Sequence, residues 1–325
     1  MSTQPLTTPV DAPPPPSEGQ KIRPWSVFER LQGMLFVLPA LVVLAIFLIY
    51  PAYYTIRLAF YEGDFHFGFF HYLGVDNFKQ LLTNDPDFLD LSKFPPGGAL
   101  INNLRWVIFY ITLSLIIGLG LAVLAVRVRY ERAVKTAIFV PMAISATAVG
   151  IIWLFVYAPD PGIGVLNALW HGVLGQHSVS WLGNPGIVNY ALIFAYIWAS
   201  VGFVMVVLSA AIKGIPAEIM EAARVDGAGE WNIFRRIMFP MLSLPISVVT
   251  IWLFINVIKV FDIIYVMTGG GPGTSSRVIA FTMYEETFHN GRPGYGAAVA
   301  VIMLVLIAPV MVLNVRRFRT EKVVA

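Results

Sequence analysis

Apolar residues in this chain gather in six long blocks, each near the ~20 residues an α-helix needs to cross a bilayer. They are Met34–Tyr54, Trp106–Val126, Ala137–Tyr157, Val188–Ile212, Ile246–Met267 and Ala297–Val315. The fifth is the least clean, because it contains Asn256, Lys259 and Asp262. The pattern predicts an all-α, polytopic membrane protein with six transmembrane helices. The membrane domain is expected over residues 31–320, between a tail at 1–30 and a short C-terminal tail at 321–325.

Composition supports this reading. Of 325 residues, 57% are hydrophobic and 13% charged, against about 25% charged in a soluble domain. Much of the surface is therefore expected to face lipid. The absence of cysteine excludes disulfides, a thiol nucleophile and Cys-based metal sites. The first two dozen residues are rich in Pro, Thr and Ser and include the run Pro13–Pro16. Such a stretch cannot bury enough apolar surface to fold and reads as a disordered tail. It lacks the apolar core of a signal peptide. A short helix lying along the membrane before Met34 stays open as an alternative.

Charge placement sets an orientation. Fifteen of the 22 Lys and Arg fall in the N-terminal tail, the second-to-third connection, the fourth-to-fifth connection and the C-terminal tail. The opposite set holds Arg57, Lys79, Lys93, Arg105, Arg277 and Arg292. By the positive-inside rule both termini are expected in the cytoplasm, as an even number of spans requires. The long outer connections carry Trp, Tyr, Phe, Pro and Gly, which suits the membrane interface or contact with an external partner.

The fourth-to-fifth connection, 213–244, is too polar to span. Pro216 suits a helix start. Glu218 and Glu221 follow where negative charge is favoured. Gly227 and Gly229 end that helix, and a second short helix through Trp231, Phe234, Arg235 and Ile237 runs toward Pro240. Two short helices bent at a glycine form a protruding elbow. Ile215, Ile219, Ala222 and Ala223 give it an apolar stripe, which by itself also fits an amphipathic helix resting on lipid.

The spacing Glu221-Ala222-Ala223, Gly227, Ile237 and Phe239-Pro240 closely resembles the EAA loop of permease subunits in binding-protein-dependent ABC importers, with Phe239 where Leu is usual. Further stretches resemble the sugar-type permeases of the maltose and glycerol-3-phosphate systems. They are Val75–Phe78, Asp160–Asn167, Trp181–Pro185, Phe261-Asp262 with Tyr265–Pro272, and Tyr295–Ala297. Pro141–Ser145 and Val149–Trp153 look like α-glucoside permeases. The resemblance implies a cytoplasmic coupling-helix elbow in which Glu221, Ala222, Ala223, Asp226, Gly227, Ile237 and Pro240 engage an ATPase subunit. It implies a second homologous permease, an ATP-binding-cassette ATPase dimer that holds ATP and Mg, and an extracellular or periplasmic sugar-binding protein. This chain would then bind no cofactor, metal or nucleic acid and catalyse no covalent step.

Charged groups inside a span cost about 2.5–3.5 kcal/mol each at the helix centre. Lys259 and Asp262, three apart, are expected on one helix face with Asn256 a turn earlier. They read either as a buried structural pair or as the polar lining of a path. In the fourth span, Tyr196, Ser200 and Phe203 are expected to share a face, an arrangement that suits sugars as well as ordinary packing. The rival reading is an ion- or proton-coupled secondary transporter that uses Lys259 and Asp262. Gly269-Gly270-Gly271-Pro272 lacks the Lys-Ser/Thr ending of a phosphate loop. His66, His71, His171, His177 and His289 form no metal-like pair.

Overall fold

The computed structural model describes residues 27–63, 71–92 and 94–324, and for 27–34 and 314–324 the backbone alone. The Pro-rich tail lies outside these residues except at its end. Residues expected to close that tail already belong to α1 (Val27–Leu44). Lys21, Arg23, His66 and Lys93 also lie outside. The chain divides into Met1–Tyr53 and Tyr54–Ala325. In the first unit, α1 passes through a π-helical turn (Ala45–Ile49) into the start of α2 (Tyr50–Leu58). Pro51 has no N–H to give the preceding turn, and a widened turn accommodates that loss. Residues 27–33 are thus continuous with the first span and form no separate interfacial helix.

The second unit continues with α3 (Asp76–Lys79), α4 (Ala99–Arg127), α5 (Glu131–Phe139), α6 (Ala146–Val156), α7 (Val165–Leu174) and α8 (Val188–Lys213). Then come α9 (Ala217–Val225), α10 (Glu230–Ile233), α11 (Phe239–Met241), α12 (Ser243–Ile258), α13 (Asp262–Met267), α14 (Ile279–Tyr284) and α15 (Pro293–Val324). Among the described residues, β structure is limited to two isolated bridges, Tyr61–Tyr72 and Asp90–Gly97.

Four helical runs are long and apolar enough to cross a membrane: Leu35–Leu58, Ala99–Arg127, Val188–Lys213 and Pro293–Leu313. They correspond to the first, second, fourth and sixth expected spans. Two bent pairs bring the number to six if each is one span. Glu131–Ala143 meets Ala146–Val156 at 101°, and Glu230–Met241 meets Ser243–Ile258 at 66°.

The third expected span, Ala137–Tyr157, is therefore not a straight helix. Pro141 lies in a 3₁₀ turn, Ile144 and Ser145 are extended, and the Ser145 hydroxyl caps α6 by accepting from the Ala148 N–H (3.3 Å). A Ser N-cap starts a new helix instead of continuing the old one. The fifth, Ile246–Met267, is also broken. α12 stops at Ile258, Phe261 leaves helical geometry (φ −141°, ψ −60°), and α13 starts afresh at Asp262. The C-terminal tail expected at 321–325 is helical through Val324.

The core of the second unit is built on α4 against α8. Trp106, Tyr110, Leu192, Met205 and Leu208 are fully buried there, joined by Leu253 and Val257 of α12. Gly118 has no room for a Cβ against Val204. The two long helices thus approach through a small residue, as helices in a bilayer commonly do.

Candidate functional site: an exposed elbow and a broken helix

α8 ends at Lys213, and the chain turns through Gly214 and Ile215 into α9. Pro216 occupies the N-cap and Glu218 the first turn. Glu221 lies beyond that turn, so the helix dipole acts on Glu218 and hardly on Glu221. The C-terminus of α9 is a Schellman cap. The Ala228 N–H donates to Ala223 O (2.9 Å) and the Gly227 N–H to Arg224 O (3.0 Å), with Gly227 at φ +81°. Glycine adopts that left-handed conformation without the side-chain cost other residues meet. Asp226 is the exposed C-cap. Gly229, by contrast, sits at φ −68°, open to any residue.

The expected apolar stripe divides between two faces. Ile215 is buried, and Met220 and Ala223 turn inward, with Met220 packed on the core. Ile219, Ala222 and Val225 are exposed, together with Glu218 and Glu221. A row at i, i+3, i+6 on α9 thus faces outward beside two carboxylates. α10, a π-helical turn (Phe234–Met238) and α11 form the second limb. Ile237 is half-buried, and Pro240 is exposed inside this helical run, so the chain turns at Leu242 and not at the proline. The widened turn before Pro240 absorbs its missing N–H, as it does before Pro51.

Glu230 holds the two limbs together. It accepts from Arg224 Nε (2.9 Å) and from Arg127 Nη2 (2.7 Å) at the end of α4. The Arg224 hydrogen bond, aided by charge attraction from both arginines, holds its carboxyl below the usual range. No helical spacing rule links Arg224 to Glu230 across a bend, which is why the sequence did not reveal this pair. A second fork lies nearby. Glu131 accepts from Lys135 and Lys213, each at 2.6 Å, joining the start of α5 to the end of α8.

In the membrane domain, Tyr196 and Ser200 line one cavity of about 150 Å³ with Pro141, Met142, Val149 and Trp252. Phe203 is not part of that lining and packs its ring on Trp252 (centroids 4.2 Å apart). Ser200 is already engaged. It accepts from Tyr110 Oη (3.0 Å) and donates to Tyr196 O (2.8 Å). Asn256 donates to Trp252 O within its own helix (2.8 Å).

Lys259 and Asp262 do not share a helix face. Lys259 caps α12 and Asp262 opens α13. Both are exposed within the chain, and among the described residues they form no ion pair with each other.

Sequence reasoning missed a buried asparagine cluster. Asn102 donates to Ser275 O (2.9 Å) and Arg277 O (2.8 Å). Asn189 donates to Ser275 O (2.7 Å) and to Asn102 Oδ1 (3.3 Å), and accepts from Trp106 Nε1 (3.3 Å). Asn103 donates to Val257 O (3.1 Å) and accepts from the Ile279 N–H (2.7 Å). Together these side chains fasten the glycine-rich loop after α13 to α4 and α8. Three Asn in otherwise apolar helix starts were the available signal.

A family model described as the binding-protein-dependent transport system inner membrane component matches residues 107–317, and the chain belongs to that family. It is a multi-pass inner-membrane protein. The osmoprotective compounds uptake permease protein GgtC of Synechocystis sp. is 43% identical over 292 residues, covering 89% of this chain and 99% of the relative. The alpha-glucoside transport system permease protein AglF of Rhizobium meliloti is 37% identical over 305 residues, covering 92% and 83%. A chain in the crystal structure of a bacterial alginate ABC transporter, in complex with an alginate pentasaccharide-bound periplasmic protein, has the same fold. Its TM-score is 0.73 at 23% identity, with 89% of this chain and 95% of that chain covered. Family membership disfavours the ion-coupled alternative, and the interrupted helix removes the shared face on which that alternative relied.

Proposed function

We propose that this chain is the transmembrane permease subunit of an ATP-binding-cassette importer for a sugar, an α-glucoside such as maltose or trehalose or a related oligosaccharide. A binding protein delivers the sugar to the outer face, and this chain with a homologous second permease encloses a path. Two ATPase subunits, which hold ATP and Mg, close and displace the elbows, turning the path outward; hydrolysis resets it. Both termini lie in the cytoplasm. Glu221, Ala222, Ala223, Asp226, Gly227, Ile237 and Pro240 form the coupling element, and this chain contributes no covalent chemistry.

The observation that carries the reading is the outward row of α9. Ile219, Ala222 and Val225, flanked by Glu218 and Glu221, stand exposed on a helix whose end is fixed by the Gly227 cap. A short rigid helix with an apolar row and acidic flanks suits a cleft with basic edges. The substrate class follows the 37% identical relative, an alpha-glucoside transport system permease.

The test is ATPase stimulation in the reconstituted complex by sugar-loaded binding protein, across a panel of α-glucosides, comparing wild type with Glu221→Ala plus Gly227→Pro. Proline cannot take φ +81°, so the variant loses both the cap and the carboxylate. Assembly with loss of stimulation is the expected result. Full stimulation in the assembled variant would sink the coupling role.

A further inference from the structure

The break in the fifth span opens onto a row of aromatic rings. Phe261 stacks on Tyr265 (centroids 5.4 Å) and meets Tyr284 (4.9 Å). Tyr265 meets Tyr284 edge-on (5.7 Å), and Tyr284 meets Phe288 (5.4 Å). Phe281 backs the row at 6.2 Å from Phe261 and is itself buried. Tyr265 is 52% exposed and Phe288 64%. The row joins α13 to α14 and the π-helical turn that follows it (Glu285–His289).

Two features of this face identify what it meets. Lys259 and Asp262 stand exposed at its base with no ion pair between them. Charges left so inside a membrane domain are costly against lipid or in a dry protein contact. The backbone is irregular from Lys259 to Phe261, which a membrane protein tolerates where it is buried in protein or lines water. The exposed charges decide for water. Ile263, the residue after Asp262, lines the interior cavity together with Tyr196. The row therefore leads from the outer connection toward that cavity along a wet wall.

We infer that Tyr265 and Tyr284, with Phe261 behind them and Asp262 at the inner end, form a sliding surface for the sugar on its way to the interior cavity. Flat rings take the apolar faces of pyranoses, and the two phenol hydroxyls with the carboxylate take their hydroxyl edges. Successive rings of similar affinity pass a ligand along without trapping it. This inference rests on the importer reading of the previous section.

The test uses the reconstituted complex and measures both sugar uptake and ATP hydrolysis, with maltose and trehalose as probes, for Tyr265→Leu plus Tyr284→Leu and for the corresponding double Phe variant. Leucine keeps apolar bulk and removes the rings. Losing two ring contacts raises the ATP hydrolysed per sugar moved about tenfold, and the double Phe variant recovers most of that loss. An unchanged ratio in the Leu variant overturns the surface while leaving the importer intact. Loss of the second permease from the purified Leu variant assigns the face to subunit contact and overturns it as well. If the wild-type complex shows no sugar-dependent ATPase, the importer reading fails, and the sliding surface with it.

Discussion

Two turns in this molecule both rely on glycine at positive φ and are attached in opposite ways. In the elbow, Gly227 takes φ +81° to end α9, and Arg127 and Arg224 meet exposed Glu230 at the surface. In the loop after α13, Gly269, Gly270 and Gly273 also take positive φ. That loop is held from inside: Asn102 and Asn189 bind its backbone, and Ser276 bonds to Thr268 Oγ1 (2.8 Å) and to Gly271 O (2.7 Å). Exposed ion pairs are weak and replaceable. Buried amide-to-carbonyl bonds are costly to lose, because each leaves a polar group without a partner. One turn is tied loosely at the surface, the other firmly from within.

The largest effect expected from this contrast is at the inner clamp. Asn102→Leu strands the carbonyl of Arg277 and leaves that of Ser275 to Asn189 alone, and should destabilise the protein by about 1–3 kcal/mol, read as a lower unfolding midpoint of the solubilised complex. An unmoved midpoint would mean that the loop holds itself. A smaller effect separates the elbow's two glycines. Gly227→Ala forces a side chain into the left-handed region at about 1–2 kcal/mol, which should weaken ATPase-subunit co-purification about tenfold. Gly229→Ala, at an ordinary φ, should lie within about 0.5 kcal/mol. Equal behaviour of the two would remove the cap from the coupling argument.

The smallest effect concerns Glu230. Its carboxyl is held below the usual range, so its tie is fully present above the ordinary carboxylate value of about 4.3. The tie is lost as pH falls through the lower folded value. Hydrogen-exchange protection at Asn232 and Ile233 should therefore hold from neutral pH down to that range and fall only below it. Protection already lost near pH 6 would point to some other group.

The sequence made much of this legible. The first, second, fourth and sixth spans are unbroken apolar windows, and helices cover them, running well past the expected bounds at Val27, Ala99 and Val324. Gly227 announced its bend because only glycine relieves a left-handed cap. Spans three and five were read as straight because an average over an apolar window does not register a Ser145 cap or a lost turn at Phe261. Lys259 and Asp262 were placed on one face by a spacing rule that holds only while the helix continues. The asparagine clamp stayed hidden for a different reason. Its partners are backbone carbonyls 173 and 175 residues away from Asn102, and every residue type offers the same carbonyl.

α8 runs 26 residues from Val188 to Lys213 with no proline, a length of about 39 Å at 1.5 Å per residue. Lys213 at one end is gripped by Glu131 beside the elbow, and Asn189 at the other grips Ser275 in the clamped loop. An unbroken helix of this kind fixes the spacing of its two ends, so the base of the elbow and the clamped loop belong to one frame.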